Sequence, residues 1–401
     1  MIYFGKLSNT QTKTFVDAQL KDFATTYPNV DLFTVDYSEI NLVADQIEND
    51  RVIIYYADCP PYDGLNVFFN LFNRYPNKKF CILTDQPGWK DIAQWPVNVQ
   101  WIWYNFNVIG HDPNDIVGDY RDIDCFTNKN FDSKKIGISL NRLPRSHRLC
   151  LLSYMLGVGL DQDCVITAPL LTWHLQTNNT LDIMDVVPWD FSSHNNFKND
   201  MLTGWKRAKL TDGIAPTGNL DPDKRHPSIF EPYHGSEPGN FNNYQNNLLP
   251  LFYKNSFVEF INFSVYDYSL PWICEKILHS QLSCNFPIFV AGKGTVEWLR
   301  THEFDVFDDI INHAYDLEVD PVLRMQKLIN DNRDLLQHQK HTKDLWIKHQ
   351  PRFRDNVEWF IKNSDKSVAT GKKLLNQWLT NSVSDVTIST LQLETKEKLW
   401  D

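Results

Sequence analysis

The stretch from Ser256 to Asp316 constrains this chain most, because it fits little except a strand, a helix, a second strand and a second helix. FVEFINF has the β-branched and aromatic content of a buried strand. From Trp272 to Leu282, Ile273, Ile277 and Leu278 recur along one helical face. PIFVAG gives the next buried strand, and Gly292 and Gly294 stop it. A helix joining two parallel strands begins at the carboxyl edge of their sheet, where open α/β sheets bind ligands. Glu275 and Lys276 stand in that helix, and a carboxylate beside an ammonium there suits a ribose diol and a phosphate.

A chain of 401 residues exceeds one ordinary core and predicts two domains, since domains hold about 100 to 200 residues. The formal charge of -11 disfavours a large sequence-blind nucleic-acid surface, so a polyanion would have to be met by a local basic groove. Cysteines at 59, 81, 125, 150, 164, 274 and 284 show no metal-ligand spacing, and several lie in apolar runs such as FCIL and RLCLL. They read as reduced core residues, which with the absence of a leader-like start or a bilayer-long apolar run predicts a soluble protein of the cytoplasm. The scattered histidines form no HExxH-like set, and no metal site is expected.

From Met1 to about Ile123, strand-like MIYFGKL, DLFTVDY, RVIIYY, KKFCILT and VQWIWY alternate with helix-like segments, including Thr14 to Thr26. That spacing predicts a parallel sheet with crossover helices, a Rossmann-like domain. GKLSN after the first strand lacks G-x-G-x-x-G, which argues against a dinucleotide in this half and against a dehydrogenase or epimerase. Asp58, Asp63 and Asp85 follow strands, where α/β domains carry chemistry; ending a strand or capping a helix is the plainer role for Asp58 and Asp85.

The polar run from Gly118 to Ser133 marks the domain boundary. KKIGISL then opens a strand, a helix is expected from about Ser146 to Leu156, and CVITAP makes the next strand. The intervening loop concentrates Arg142, Arg145, His147 and Arg148. Cations in the first turn of a helix oppose its dipole, so a bound anion explains them better than solubility does. Guanidinium forks and helix-start N–H groups both suit phosphate; a solvated basic loop is the alternative. Residues 180–255 are irregular and carry the basic clusters WKRAK and DKRH, as an acceptor-binding excursion or a tolerated insertion would. Two helices, Asp320 to Gln339 and His341 to Asn363, are expected to cover the second sheet. The remainder to Asp401 reads as a short LLNQWL helix and a tail.

Three of these patterns together resemble one family. ISLNRLPRSHRLCLLSYMLGVGLDQDCVIT, FVEFINFSVYDYSLPWICEKILHSQLSCNFPIFVAG and TVEWLRTHEFDVFDDIINHAYD are similar to the donor-binding half of fucosyltransferase-like glycosyltransferases of GT-B architecture, which include many bacteriophage proteins. The likeness covers Lys135 to Asp316 apart from the irregular middle. Glu303-Phe304 stands where the family commonly has Gly-Phe, and Asn262 to Ser264 lacks the Glu-Asn of many members.

The resemblance implies an α/β fold of two Rossmann-like domains facing a central cleft, with extra C-terminal helices. Residues 1–130 would form the acceptor-side domain, 131–363 the nucleotide-sugar domain with 180–255 inserted, and 364–401 a tail returning to the first domain. It implies that Glu275 holds the donor ribose and that Lys276, Arg148 and Arg142 meet the diphosphate; the basic-loop reading adds Arg145 to the donor-binding residues. Such an enzyme uses no cofactor beyond the nucleotide-diphosphate sugar it consumes. Its cations stabilise the departing diphosphate without a metal, and an inverting reaction needs a base, for which Asp58 or Asp85 is expected. The acceptor is expected to be a hydroxymethylated pyrimidine in phage DNA, for which the basic clusters speak and the net charge does not, or else a glycan or protein. A noncatalytic nucleotide-sugar-binding or structural module is the alternative.

Overall fold

The structure is a computed structural model that describes residues 2–4, 29–34, 45–56, 66–84, 93–103, 129–141, 145–167, 182–210, 253–263, 266–267 and 273–380. It is an α/β protein with two separate, wholly parallel sheets flanked by helices, followed by further helices toward the C-terminus. The chain divides into two compact units. One comprises Met1–Asp115, Leu270–Glu275 and Trp359–Asp401; the other comprises Ile116–Ser269 and Lys276–Glu358.

The first unit holds five strands in sequence order: β1 (Ile2–Phe4), β2 (Asp31–Thr34), β3 (Arg51–Tyr55), β4 (Lys79–Thr84) and β5 (Val99–Trp103). All five fall within runs expected to be strands, β1 in MIYFGKL. The helix expected over Thr14 to Thr26 lies outside the described residues. Period-two alternation gives the sheet two apolar faces. Ile53, Tyr55, Cys81 and Leu83 share a core with Leu32, Ile102, Leu375 and Leu379. On helix α1 (Asn66–Arg74), Phe72 meets Phe80 of β4 with ring centroids 5.0 Å apart. Each such buried side chain contributes about 1.5–3 kcal/mol. The buried Asp31 carboxylate accepts the Glu48 and Asn49 N–H groups, both at 2.7 Å, which ties the approach to β3 onto β2.

The second unit holds β6 (Gly137–Leu140), β7 (Cys164–Thr167), β8 (Val258–Asn262) and β9 (Phe286–Val290), in spatial order β7-β6-β8-β9. Helix α2 (Ser146–Gly157) joins β6 to β7, and α5 (Glu275–Leu282) joins β8 to β9. Between β7 and β8 come the short α3 (Ile183–Val186) and α4 (Asn195–Leu210). The long excursion expected from 180 to 255 is thus helical over α3 and α4, and its residues 211–252 lie outside the described set.

Helix α2 is buried almost throughout because α4 lies against it at very close range. Glycines permit that approach: a Cβ on Gly204 would stand 1.7 Å from the Ser153 carbonyl oxygen, and one on Gly157 would stand 1.9 Å from that of Asp200. Around the contact, Tyr154 stacks on Phe197 with centroids 4.1 Å apart.

After β9 come α6 (Thr295–Thr301), α7 (Pro321–Asn330), α8 (Arg333–Gln337) and α9 (Gln339–Thr380). The sequence predicts two helices over the last three, with breaks near Gln339 and Asn363. Instead Asp331 and Asn332 interrupt the first, and α9 continues through Asn363 to Thr380. Its apolar residues explain the continuity. Trp346 and Phe353 are buried in the second unit, whereas Leu375 and Leu379 enter the core of the first.

One buried acid stands on a central strand of the second sheet. Glu259 of β8 is 3 % exposed, accepts the Tyr253 hydroxyl at 3.1 Å and neighbours the buried Lys129 ammonium. Lys129 is fully engaged with the Tyr253 and Ser256 carbonyls, both at 2.6 Å, and with Asn285 Oδ1 at 2.8 Å. Burial raises the Glu259 carboxyl to about 7, and the dipoles of Ser280 and Tyr253 with the Lys129 charge pull it back only in part. The folded state therefore binds more protons here than the unfolded chain does, so this contribution to stability is complete at low pH. It is lost as pH rises from about 4, the unfolded value, through 7. Glu259→Gln is expected to remove that loss, on the order of 3 kcal/mol at most, and urea unfolding at pH 5 and pH 8 checks it. Equal pH dependence in both proteins would contradict it.

Candidate functional site

In the second sheet β6 and β8 are neighbours, and the chain leaves them in opposite directions, β6 toward β7 and β8 toward β9. Their carboxyl ends form a topological switch point, where loops diverge and leave a crevice. Helices α2 and α5 both start at this edge. Arg145 and Arg148 follow β6 and Lys276 follows β8, so the topology brings these three residues to one edge.

Arg145 is the N-cap residue of α2, with extended backbone at φ -74° and ψ 150°, and its side chain is half-buried. No side chain caps the helix start, and its first turn carries no acid. His147 is buried and stacks on Tyr266, with ring planes 13° apart and centroids at 5.6 Å. Burial, with the Arg148 charge second, holds its imidazole well below the usual histidine range. It is therefore neutral near pH 7, and Nε2–H donates to the Phe263 carbonyl at 3.0 Å, since a carbonyl can only accept.

Arg148 is 3 % exposed. Its Nη2 donates to the carbonyls of Asn262 at 3.1 Å and Phe263 at 2.9 Å, the last residue of β8 and the next. Arg148 thus fastens the start of α2 to the tip of β8. It also places a guanidinium in a buried setting at this edge.

Beyond Phe263 the chain reaches Tyr266 and Asp267. The Tyr266 hydroxyl donates to the Pro321 carbonyl at 3.1 Å, and the Arg324 guanidinium lies over its ring at 4.3 Å and donates to its carbonyl at 2.5 Å. Half-buried Trp189, whose ring centroid is 5.4 Å from that of Tyr266, donates its Nε1–H to the Asp267 carboxylate at 2.7 Å. Partial burial pushes the Asp267 carboxyl up, and the Trp189 N–H and Arg324 pull it down. Indole and carboxylate together pair a flat ring with an acceptor a few residues past the end of β8, groups that a sugar or base can use. Trp189→Ala is expected to weaken binding of a nucleoside diphosphate about tenfold. Calorimetry reads it, and unchanged affinity would remove Trp189 from the site.

The third helix start on this edge, that of α6 after β9, is already occupied. The buried Asp316 carboxylate accepts the Glu297 N–H at 3.1 Å, filling the seat an external anion would take. Beside it, a depression of about 460 Å³ is lined by Glu297, Arg300, Asp308, Asp309 and Asp316 among others. Arg300 there is paired with Asp308 and Glu297.

Of the residues singled out in the sequence, Arg145, Arg148 and Lys276 stand at the β6/β8 edge by topology. Lys276 is half-buried in the first turn of α5. Glu275 is the first residue of α5, and its side chain lies outside the described residues, as do Arg142, Asp58, Asp63 and Asp85. Among the described residues no group of three or more His, Cys, Asp or Glu could hold a metal ion, and no helix is long and apolar enough to cross a membrane. Sequence reasoning passed over Asn141, Tyr266, Trp189 and Arg324. Only Asn141 had a visible signal, because ISLN and FVEFIN both place an Asn at the tip of a buried strand. No known protein family, characterised protein or solved structure matches the chain.

Proposed function

We propose that the chain is a glycosyltransferase that takes a sugar from a nucleotide-diphosphate donor bound at the carboxyl edge of the second sheet. The observation that carries this reading is the switch point, where two crossover helices start with cations, Arg145 at the N-cap and Arg148 in the first turn of α2, and Lys276 in the first turn of α5. A diphosphate there gains helix-start N–H groups and charge-assisted hydrogen bonds, and the same groups stabilise it as it departs. The buried guanidinium of Arg148 adds fixed positive potential at no cost in reorganisation. The resemblance of the sequence motifs to those of fucosyltransferase-like glycosyltransferases would give Glu275 the ribose hydroxyls. The acceptor is a hydroxyl, on a hydroxymethylated pyrimidine of DNA or on a glycan.

A sugar-nucleotide hydrolysis assay tests the proposal. Glu275→Ala and Lys276→Ala are each expected to lower turnover about a hundredfold, the scale for removing one preorganised group from a departing charge. Unchanged turnover in both would sink the enzyme reading. Tight nucleotide binding with no turnover by the native chain would make it a noncatalytic nucleotide-sugar-binding module.

A further inference from the structure

The register of β6 against β8 pairs Gly137 with Val258, Ile138 with Glu259 and Ser139 with Phe260. Continued two residues, it sets Asn141 beside Asn262 at the last rung before the strands part. Both side chains are buried, 3 % and 2 % exposed. The Asn262 Nδ2 donates to the Phe260 carbonyl at 3.1 Å, to Ser139 Oγ at 3.1 Å and to the Leu140 carbonyl at 3.4 Å. The Asn141 Nδ2 donates to Ser139 Oγ at 3.2 Å and to the Ser139 carbonyl at 3.3 Å. Carbonyls only accept, so both amides are fixed with their nitrogens turned back along the strands. The two Oδ1 atoms, at the other end of these amides, are buried, and neither has a hydrogen-bond partner among the described residues.

A buried acceptor left without a donor costs about 1–3 kcal/mol, and here two stand side by side at the switch point. Phosphate oxygens carry no donors near neutral pH, so a diphosphate would be repelled from this rung and displaced toward Arg145 and Lys276. Hydroxyl groups on adjacent ring carbons present two donors a short distance apart. We infer that Asn141 and Asn262 form an acceptor pair that takes sugar hydroxyls of the bound donor, and so positions the ring relative to the diphosphate. This rests on the nucleotide-sugar reading of the same edge. The hydroxyls belong either to the ribose or to the transferred sugar.

Calorimetry on the full chain separates these cases. The probes are UDP, GDP, CDP and dTDP, the 2′,3′-dideoxy form of whichever ribonucleotide binds, and its hexose conjugate. Asn141→Ala is the working variant, because Asn262 fastens three neighbours and its loss endangers the strand tip; a thermal melt within a few degrees of the native chain certifies it. If the pair takes the ribose, the dideoxy probe binds the native chain on the order of tenfold more weakly and Asn141→Ala discriminates little. If it takes the transferred sugar, the hexose adds affinity in the native chain and none in the variant. Identical responses of native chain and variant to both changes would overturn the acceptor pair while leaving the diphosphate site standing. Failure of every probe to bind the native chain would overturn both.

Discussion

Gly204→Ala is expected to destabilise the second unit by about 3 kcal/mol or more, at the upper end of what overpacking does. The added methyl would stand 1.7 Å from the Ser153 carbonyl oxygen and 2.6 Å from the Gly157 nitrogen, both backbone atoms of α2. No rotamer relieves that contact; α4 would have to withdraw. Withdrawal would part Tyr154 from Phe197 and Cys150 from Met201 and loosen the helix whose first turn holds His147 and Arg148. Gly159→Ala is the contrast. A Cβ there meets nothing within 4 Å, but the left-handed φ of +79° costs about 1–2 kcal/mol. Urea unfolding followed by tryptophan fluorescence orders the two. If Gly204→Ala is as stable as the native chain, the close approach of α2 and α4 is wrong.

Arg148→Ala is expected to damage fold and site together. It removes the donors that satisfy the Asn262 and Phe263 carbonyls in a buried setting, a loss of about 3 kcal/mol when the donor is charged. It also frees the tip of β8 and the adjoining His147–Phe263 hydrogen bond. Nucleoside diphosphate binding should fall below detection even where the variant still folds. Arg145→Ala, at the half-buried N-cap, should weaken binding about tenfold, the scale of one charge-assisted hydrogen bond. Thus the two arginines, alike in the sequence, separate into one buried against the strand tip and one half-buried at the helix start. A melt for Arg148→Ala that matches the native chain would contradict its buried role.

That difference marks the limit of what the residues alone reveal. The strands were legible because runs such as RVIIYY, KKFCILT and FVEFINF are apolar over a strand's length, and the start of α2 was legible from its apolar spacing. Burial at either end of a basic loop was not, since Arg145 and Arg148 differ only in where the helix turn points them. The length of α9 was hidden for a similar reason. Polar residues near Asn363 read as a stop, yet helix continuity there is decided by Leu375 and Leu379 docking in the core of the first unit. The Asn pair needs the β6/β8 register, a long-range fact that no local pattern carries. Asp58 and Asp85 follow β3 and β4, but they lie outside the described residues.

The most direct test of the central claim is a crystal structure of the chain grown with the nucleoside diphosphate that binds it most tightly. The account predicts density for the diphosphate at the carboxyl ends of β6 and β8, against the first turns of α2 and α5 and in reach of Arg145 and Lys276. Density for the nucleotide elsewhere, with that edge empty, would contradict it.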